Sequence, residues 1–302
     1  MPPEILRWLR CPVCGQPLVA VPATNDPAAA AGEAGPAPRT AALRCPQRHT
    51  FDVARQGYVN LTAGRTPHSG DSAEMVAARD EFLTAGHYDL ISTALAELAG
   101  RLAPPPGTSP GYPGLVVDAG AGTGQHLGAV LDALPSATGL ALDVSKPALR
   151  RAARAHPRLG AALCDTWRRL PLADDSVGLL LNVFAPRNGP EFHRVLRPDG
   201  VLLVVTPTAE HLGELVDRLD LLRVDPDKEE RLAEGLAGYF APVAAMPRRR
   251  TLSLRREEVR TLVGMGPSAW HTEPARLDER IAGLPDPVRV TASVRIAGYR
   301  PR

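Results

Sequence analysis

Three cysteines and one histidine near the N-terminus have the types and the spacing of metal ligands. Cys11 and Cys14 are two residues apart in a Cys-Pro-Val-Cys run, and Cys45 opens a Cys-Pro-Gln-Arg-His run that ends at His49. Three thiolates and one imidazole suit tetrahedral zinc, and four protein ligands leave no position for a reactive water. The pattern therefore predicts a structural Zn²⁺ that ties together a segment with little core of its own.

A redox pair is the alternative interpretation of Cys11 and Cys14, but such a pair needs neither Cys45 nor His49. The remaining cysteine, Cys164, lies in a strand-like run and is expected to be a small core residue. Thiolates used as metal ligands also fit a reducing compartment, which favours a cytoplasmic protein.

A glycine-rich turn forms the second group with chemical meaning. Asp118 ends an apolar run and is followed by Gly120, Gly122, Thr123 and Gly124. Such a turn between a strand and a helix is shared by NAD, FAD and S-adenosylmethionine enzymes. The carboxylate favours S-adenosylmethionine, because it would repel a pyrophosphate but can bind the ammonium group of this cofactor directly or through water.

Two further acids end the strands that are expected next. Asp143 is placed to accept hydrogen bonds from ribose hydroxyls, and Asp165 would lie near the adenine. This layout is similar to that of a class I S-adenosylmethionine-dependent methyltransferase. A nicotinamide oxidoreductase stays open as the alternative, since an acid in the position of Asp143 serves both cofactors.

Short apolar runs alternate with helical segments in the C-terminal two thirds of the chain, which predicts a mostly parallel, Rossmann-like α/β sheet covered on both faces. The expected strands are 115–118, 139–143, 161–165, 178–183 and 200–206, with 246–254 and 288–296 as later candidates. Helical periodicity covers 73–102, the segment after the glycine turn, and 147–155.

The 302 residues are long enough for more than one domain. We expect a zinc-binding module at 1–62, a helical linker segment at 63–113, and the methyltransferase domain at 114–302. A low-complexity run at 22–42 lacks large apolar residues and is interpreted as a flexible insertion. A Pro- and Gly-rich break ends the linker segment.

Composition excludes several classes of protein. The net charge of +2 argues against a polybasic protein. Lys146 and Lys228 are the only lysines, so the positive charge is almost all arginine, which favours phosphate contacts and stacking on bases. No apolar run is long enough for a membrane span, and the N-terminus lacks the apolar core of a signal peptide.

Taken together, the motifs make the chain similar to the 23S rRNA (guanine-N1-)-methyltransferase family, which includes enzymes that give resistance to tylosin-type macrolides. The matching residues are Cys11-Pro-x-Cys14, Cys45-Pro-Gln-Arg-His49-x-Phe51-Asp52, Gln56 to Leu61, Gly70 to Met75, Ala78-Arg79-x-x-Phe82-Leu83, Ala85 to Tyr88, Gly139-Leu-x-Leu-Asp143-Val-Ser-Lys146, Ala185-Pro186 and Thr206-Pro-x-x-x-His211-Leu212. The insertion at 22–42 departs from the pattern of the family.

The resemblance implies zinc at the four ligands named above and cofactor contacts from Tyr88, Gly122, Thr123 and His211. Without it, Tyr88 would be interpreted as a helix-packing aromatic and His211 as a solvent-exposed residue at a helix start. It also implies 23S rRNA as the partner, with one guanine in a hairpin loop of domain II as the target, and a homodimer.

The chemistry requires that the proton on guanine N1 leaves as the methyl group arrives. Asn182 ends the fourth predicted strand of the domain and is our candidate catalytic residue, which would orient the target base with Phe184 stacked on it. The alternative is that Asn182 only caps the strand.

RNA recognition is expected to involve one wall of a cleft built from the zinc module, with further phosphate contacts from 248–250 and 255–256. The expected wall residues are Arg44, Arg48, Arg55, Tyr58 and Arg65. A solvated charged face is the alternative. Two rival functions also stay open: a class I methyltransferase acting on a small molecule, and a non-enzymatic zinc RNA-binding protein with a vestigial cofactor fold.

Overall fold

The computed structural model describes residues 1–23, 40–64, 68–103, 114–221, 234–266 and 273–302. A short 3-10 helix (Pro3–Arg7) comes first. The other elements, in chain order, are β1 (Val19–Pro22), β2 (Thr40–Arg44), β3 (Thr50–Asp52), β4 (Tyr58–Asn60), α1 (Ala73–Thr84), α2 (Asp89–Leu102), β5 (Leu115–Ala119), α3 (Gln125–Ala133), β6 (Thr138–Asp143), α4 (Lys146–Ala155), β7 (Leu159–Leu163), β8 (Val177–Val183), α5 (Gly189–Val195), β9 (Leu196–Pro207), α6 (Gly213–Leu219), β10 (Phe240–Leu254), α7 (Arg256–Gly264), α8 (Pro274–Ala282) and β11 (Val288–Pro301).

One eight-stranded sheet carries the C-terminal two thirds of the chain. Its strand order is β10-β11-β9-β8-β5-β6-β7-β4. In this order the strands from β9 to β4 are parallel to one another. β11 pairs antiparallel with β9, and β10 pairs antiparallel with β11. Every residue of β5 and β8 is buried, as expected for strands covered on both faces. The predicted mostly parallel class I fold is confirmed.

The parallel arrangement brings the polar ends of several strands to one edge. Asp118 pairs in register with Ala141 of β6, and Asn182 pairs with Val204 of β9. Ligands of open α/β sheets bind at this carboxyl edge. The sheet therefore positions the acids and the amide that the sequence singled out.

The helical periodicity predicted over 73–102 is confirmed and forms two helices, α1 and α2. The chain turns between them at Gly86, whose φ of +78° is a left-handed conformation that glycine adopts without strain. The expected bounds of the last two strands were wrong, because both strands are longer than 246–254 and 288–296. The added part of β10 contains Pro242, which is tolerated because β10 is an edge strand.

The N-terminal residues form a separate small sheet, in which β1 pairs with β2 and β2 with β3. β4 also falls within 1–62, yet it pairs in parallel with β7 and adds an edge strand to the large sheet. Pro22 and the stretch 40–42 are strand residues, so the interpretation of 22–42 as a flexible insertion is wrong at both ends. Residues 24–39, which carry the rest of that interpretation, lie outside the described residues.

The zinc module shares its core with one face of the large sheet. Ile5 and Leu9 are fully buried in a cluster that also contains Leu115 and Leu140. Leu9 forms an isolated bridge with Leu172, and the module is thereby fixed against the loop before β8. In the described part of the chain, no helix is long and apolar enough to cross a membrane.

Candidate functional site

The four predicted metal ligands converge on one point. The ligand atoms of Cys11, Cys14, Cys45 and His49 all lie within 4.8 Å of one another. The two sulfurs of Cys14 and Cys45 are 3.7 Å apart, and His49 Nδ1 lies 3.3 Å from the sulfur of Cys45 and 3.6 Å from that of Cys11. A tetrahedral Zn²⁺ with ordinary bond lengths holds two sulfurs about 3.8 Å apart and a sulfur and a nitrogen about 3.6 Å apart. The donor set and its spacing therefore fit zinc.

The chemistry of the thiols supports the same conclusion. Burial opposes ionisation of Cys45, but hydrogen bonds from the backbone of His49 and Gln47 and from neighbouring side chains lower its pKa to about 7. A thiolate is the form that binds a metal. Because protein atoms fill all four positions, the zinc is structural. Cys164 takes no part: it is buried in the core, as predicted, and burial raises its pKa.

The glycine turn forms between β5 and α3. Gly120, Gly122 and Gly124 all have positive φ, at +88°, +53° and +80°. A side chain at Gly120 would place its Cβ 2.4 Å from the Cβ of Ala185, so this glycine lets the loop after β8 approach the turn. The turn and the loop after β8 thus adjoin at the carboxyl edge of the sheet, where the cofactor pocket is expected.

Two acids define the electrostatics of this pocket. Burial, with the neighbouring charge of Asp143, raises the pKa of Asp118 to about 8. Burial also raises the pKa of Asp143, although its oxygens accept hydrogen bonds from the backbone N–H of Gly122 at 2.9 Å and of Ser145 at 2.7 Å. Two neighbouring buried carboxyls favour a cationic ligand, because a positive charge beside them would let both ionise.

Unpartnered polar atoms mark where such a ligand would bind. Oδ1 of Asp118 and Oγ1 of Thr123 are buried and have no hydrogen-bond partner among the described residues. Buried polar atoms are nearly always paired, so each calls for a donor or acceptor from outside the chain. S-adenosylmethionine, with an ammonium, a sulfonium and a ribose, offers the matching groups.

Tyr88 and His211 meet at the other side of the pocket. The hydroxyl of Tyr88 lies 3.1 Å from Nε2 of His211, and the backbone N–H of Ser293 donates to Nδ1 of the same ring at 3.2 Å. Burial lowers the pKa of His211 to about 4, so the ring is neutral. Tyr88 is buried and its pKa is raised by burial. The structure thus brings together two residues that the resemblance assigned to the cofactor.

Asn182 is completely buried at the end of β8. Its Nδ2 donates to the carbonyl of Ala119 at 3.1 Å and to that of Pro186 at 2.8 Å, while its Oδ1 has no partner among the described residues. Both acceptors are carbonyl oxygens, so the nitrogen must face them. The side chain therefore fastens the loop after β8 to the start of the glycine turn.

Phe184 lies on that loop and is 42% exposed, with a φ of +52° that a bulky side chain rarely adopts. Its ring centroid is 6.3 Å from that of Tyr88 and 5.9 Å from that of His211. Strained backbone at a binding edge is retained where the surrounding structure requires it. The exposed ring is positioned for stacking beside the cofactor pocket.

Comparison with known proteins decides the family. A zinc-ribbon family model described as RlmA, N-terminal, matches residues 37–69, and a methyltransferase domain model matches residues 116–200. The 23S rRNA (guanine(748)-N(1))-methyltransferase of Streptomyces fradiae is 49% identical over 99% of this chain and 98% of its own length. A Micromonospora griseorubida protein, to which 23S rRNA (guanine-N(1)-)-methyltransferase activity is ascribed, is 66% identical over the full length of both.

The chain belongs to the 23S rRNA (guanine-N1-)-methyltransferases.

Several residues of this rRNA methyltransferase pocket were missed by sequence reasoning. Arg79 donates to Asp71, which precedes α1, and to the carbonyl of Met265 at 2.8 Å, and its side chain lies 3.5 Å from where a Cβ of Gly122 would be. It therefore covers the glycine turn. The signals available in the sequence were the runs Gly70 to Met75 and Ala78-Arg79-x-x-Phe82-Leu83, which carried part of the resemblance but no assigned role.

A second missed group surrounds Asp165. Its carboxylate is bonded to His68 at 2.9 Å and to the backbone N–H of Trp167 at 3.1 Å. Trp167 is 50% exposed, and its ring lies 6.2 Å from that of His68. Trp167 therefore presents an exposed aromatic ring at the carboxyl edge of the sheet.

The expected RNA-binding residues have mixed outcomes. Arg44, Arg48 and Arg55 are exposed on the zinc module. Tyr58 is buried in the core because β4 belongs to the large sheet, so its place in the wall was wrong. Arg65 lies outside the described residues.

The arginines of β10 and of the start of α7 are largely engaged within this methyltransferase. Arg248 pairs with Glu97 at 2.6 Å, and Arg249 pairs with Glu210 at 3.1 Å. Arg255 pairs with Glu257 at 2.8 Å, and Arg256 donates to the carbonyl of Leu284 at 2.9 Å. These internal contacts compete with the phosphate contacts that were expected.

Proposed function

We propose that this chain transfers the methyl group of S-adenosylmethionine to N1 of one guanine in a domain II hairpin loop of 23S rRNA. The observation that carries the proposal is the 49% identity, over almost the whole chain, to the Streptomyces fradiae enzyme named for guanine 748. The four converged metal ligands and the unpartnered atoms of Asp118 and Thr123 at the glycine turn support it. Such a methyl group would protect the ribosome from tylosin-type macrolides.

The reaction needs an electron pair at guanine N1. The cofactor supplies an electrophilic methyl group when it is bound. The N1–H bond breaks as the N1–methyl bond forms, the methyl–sulfur bond gives its electrons to sulfur, and the proton goes to solvent or a base. The chain's share is to hold N1 in line with that methyl group and to exclude water.

Asn182 and Phe184 support the orientation step. The buried Oδ1 of Asn182 has no partner among the described residues, so a donor on the guanine edge would satisfy it. Phe184 offers an exposed ring two residues later, on the loop after β8. We propose that Phe184 stacks on the flipped base while Asn182 receives its edge.

The zinc module supports RNA binding through Arg44, Arg48 and Arg55. All three are exposed, and none forms an ion pair among the described residues. Charge reversal at Arg44 and Arg48 is expected to weaken binding of 23S rRNA while the zinc content stays at one ion. Unchanged rRNA binding would contradict this role of the module. Arg55→Glu serves as a third, independent variant.

The most direct test of substrate class compares acceptors under one set of conditions. Protein incubated with labelled S-adenosylmethionine is offered 23S rRNA, free guanosine and small metabolite acceptors. We expect label in the rRNA alone, recovered as 1-methylguanosine after digestion to nucleosides. Label in a small molecule and none in rRNA would overturn the proposal. An rRNA substrate also supports our proposal that the enzyme acts in the cytoplasm.

The homodimer that the resemblance implies stays a proposal, and sedimentation of the purified protein tests it. We expect a mass of two chains at micromolar concentration. A single-chain mass that persists at high concentration would overturn it.

A further inference from the structure

Arg187 is a half-buried arginine that the proposed reaction has not yet used. Its Nε is buried and donates to no hydrogen-bond acceptor, and no described carboxylate forms an ion pair with it. Nearby arginines differ: Arg194 pairs with Glu191 at 2.7 Å and Asp174 at 2.6 Å, and Arg197 pairs with Asp199 at 2.9 Å. The Nε–H of Arg187 is thus a buried donor without a partner, which costs stability and which a ligand would satisfy.

The backbone around Arg187 is held on both sides. The carbonyl of Pro186 accepts the bond from Asn182, and Asn188 caps α5 while its Nδ2 donates to the carbonyls of Thr166 at 3.2 Å and Arg168 at 3.3 Å. The guanidinium is therefore placed by the fold rather than left on a free loop. Burial also lowers its pKa, as expected for a cation without a counter-ion.

The Arg187 side chain has Tyr299 of β11 as its electrostatic neighbour. Tyr299 belongs to the same core cluster as Phe192, Ile5 and Leu9, so it lies on the sheet face that the zinc module also covers. β11 is three strands from β5 in the sheet order, which corresponds to about 14 Å. Tyr299 is thus separated from the glycine turn, where the cofactor's own charged groups would lie.

We propose that Arg187 binds a phosphate group of the RNA backbone next to the target guanine. The inference rests on the proposed function. Three observations lead to it: a buried Nε–H without a partner, a position three residues after the exposed ring of Phe184, and a neighbour, Tyr299, on the sheet face that the zinc module also covers. A planar guanidinium fork matches two phosphate oxygens, and RNA is the polyanion that must reach both halves of this protein.

The test compares Arg187→Met with Arg150→Met. Methionine keeps the apolar stem against Tyr299 and removes the charge. Arg150 is exposed on α4, whose Leu149 and Ala152 pack in the core cluster of the opposite sheet face, so its replacement controls for the loss of one positive charge. The probe is a 23S rRNA fragment that contains the domain II hairpin, with binding measured at several KCl concentrations.

Arg187→Met is expected to weaken RNA binding by about 10- to 100-fold at low salt, the range of a charge-assisted hydrogen-bonded pair. It should also reduce the slope of log K against log salt by about 0.7 to 0.9. Arg187→Lys, which keeps the charge, should restore the slope. The melting temperature of Arg187→Met should be unchanged or higher, because an unpaired buried charge is removed. Affinity for S-adenosylmethionine should not change.

Three results distinguish a failure of the proposed role of Arg187 from a failure of the proposed function. RNA affinity and salt slope equal to those of Arg150→Met would overturn the role of Arg187 and leave the proposed function standing. A loss of affinity for S-adenosylmethionine in Arg187→Met would overturn the role of Arg187 in RNA binding, because it would assign the residue to the cofactor. Absence of methyl transfer to rRNA by the unmodified protein would instead overturn the proposed function.

Discussion

Nε2 of His211 lies 3.1 Å from the hydroxyl oxygen of Tyr88, across 123 residues of sequence. The backbone N–H of Ser293 donates to Nδ1 of the same ring, so Nδ1 carries no proton. The neutral ring must then carry its proton on Nε2 and donate it to Tyr88. The phenol oxygen acts as the acceptor in this pair, which leaves the phenol proton available to a ligand in the pocket.

We predict that Tyr88→Phe weakens binding of S-adenosylmethionine by about 2- to 12-fold, the effect of one hydrogen bond, because the ring is kept and only the hydroxyl is lost. Calorimetric titration of the variant measures this. Tyr239→Phe, at a half-exposed tyrosine outside the pocket, is the matched control. Equal affinities for Tyr88→Phe and the unmodified protein would remove Tyr88 from the cofactor contacts.

The ring of His211 is predicted to stay neutral from about pH 5.5 upward, since burial lowers its pKa to about 4. Nitrogen chemical shifts of the labelled histidine should show a proton on Nε2 throughout this range. A titration near pH 6.5, the ordinary value for histidine, would contradict the assigned hydrogen bonds.

Cofactor affinity is predicted to depend on pH through Asp118. Burial and Asp143 raise its pKa to about 8, so the free protein holds this proton at neutral pH. A cationic cofactor favours the ionised form of Asp118, so binding of the cofactor releases the proton. The affinity therefore rises with pH until about pH 8, by at most about tenfold per pH unit. Asp118→Asn should flatten this dependence below pH 8, measured by calorimetry in buffers of different ionisation enthalpy.

The same shift affects the stability of the free protein. The pKa of Asp118 is higher in the folded than in the unfolded protein. Its contribution to the free energy of unfolding is therefore fully present below about pH 4 and is lost as the pH rises through about 8. An unchanged pH dependence of cofactor affinity in Asp118→Asn would show that another group releases the proton.

Asn182→Ala is predicted to lower turnover far more than cofactor affinity. The variant loses the carbonyl that we assign to the guanine edge and the two bonds that hold the loop. Asn188→Ala is the control, because it also loosens this loop through its bonds to Thr166 and Arg168 but removes no proposed contact with the target guanine. Parallel losses of turnover and cofactor affinity in Asn182→Ala would contradict the substrate contact.

Removal of a zinc ligand is predicted to destabilise the whole chain. Cys45→Ala should lose the bound zinc and lower the melting temperature, since the zinc module shares a core cluster with the large sheet through Ile5 and Leu9. Cys164→Ala, which also removes a buried thiol, should keep one zinc per chain. Zinc content and thermal unfolding are measured together. A Cys45→Ala protein with full zinc content would contradict the site.

The sequence was sufficient for features that depend on local pattern. Ligand type and spacing identify the zinc site, and buried parallel strands produce the continuous apolar runs that locate β5, β6 and β8. The acids at strand ends follow directly, because strand ends meet at one edge of the sheet.

Features that depend on distant partners were not predictable. β4 is only three residues long, so nothing in its sequence shows that Tyr58 joins the large sheet. Glu97 and Glu210 come from other elements, and their pairing with Arg248 and Arg249 appears only in three dimensions. The same holds for Asn182, whose acceptor Ala119 is 63 residues away.

The central claim is methylation of one rRNA guanine at N1, and primer extension on 23S rRNA treated with the protein and S-adenosylmethionine tests it most directly. A methyl group at N1 blocks base pairing and stops reverse transcriptase. We expect a new, cofactor-dependent stop one nucleotide before a guanine in a domain II hairpin loop. An rRNA without any new stop, in the presence of protein shown to bind the cofactor, would contradict it.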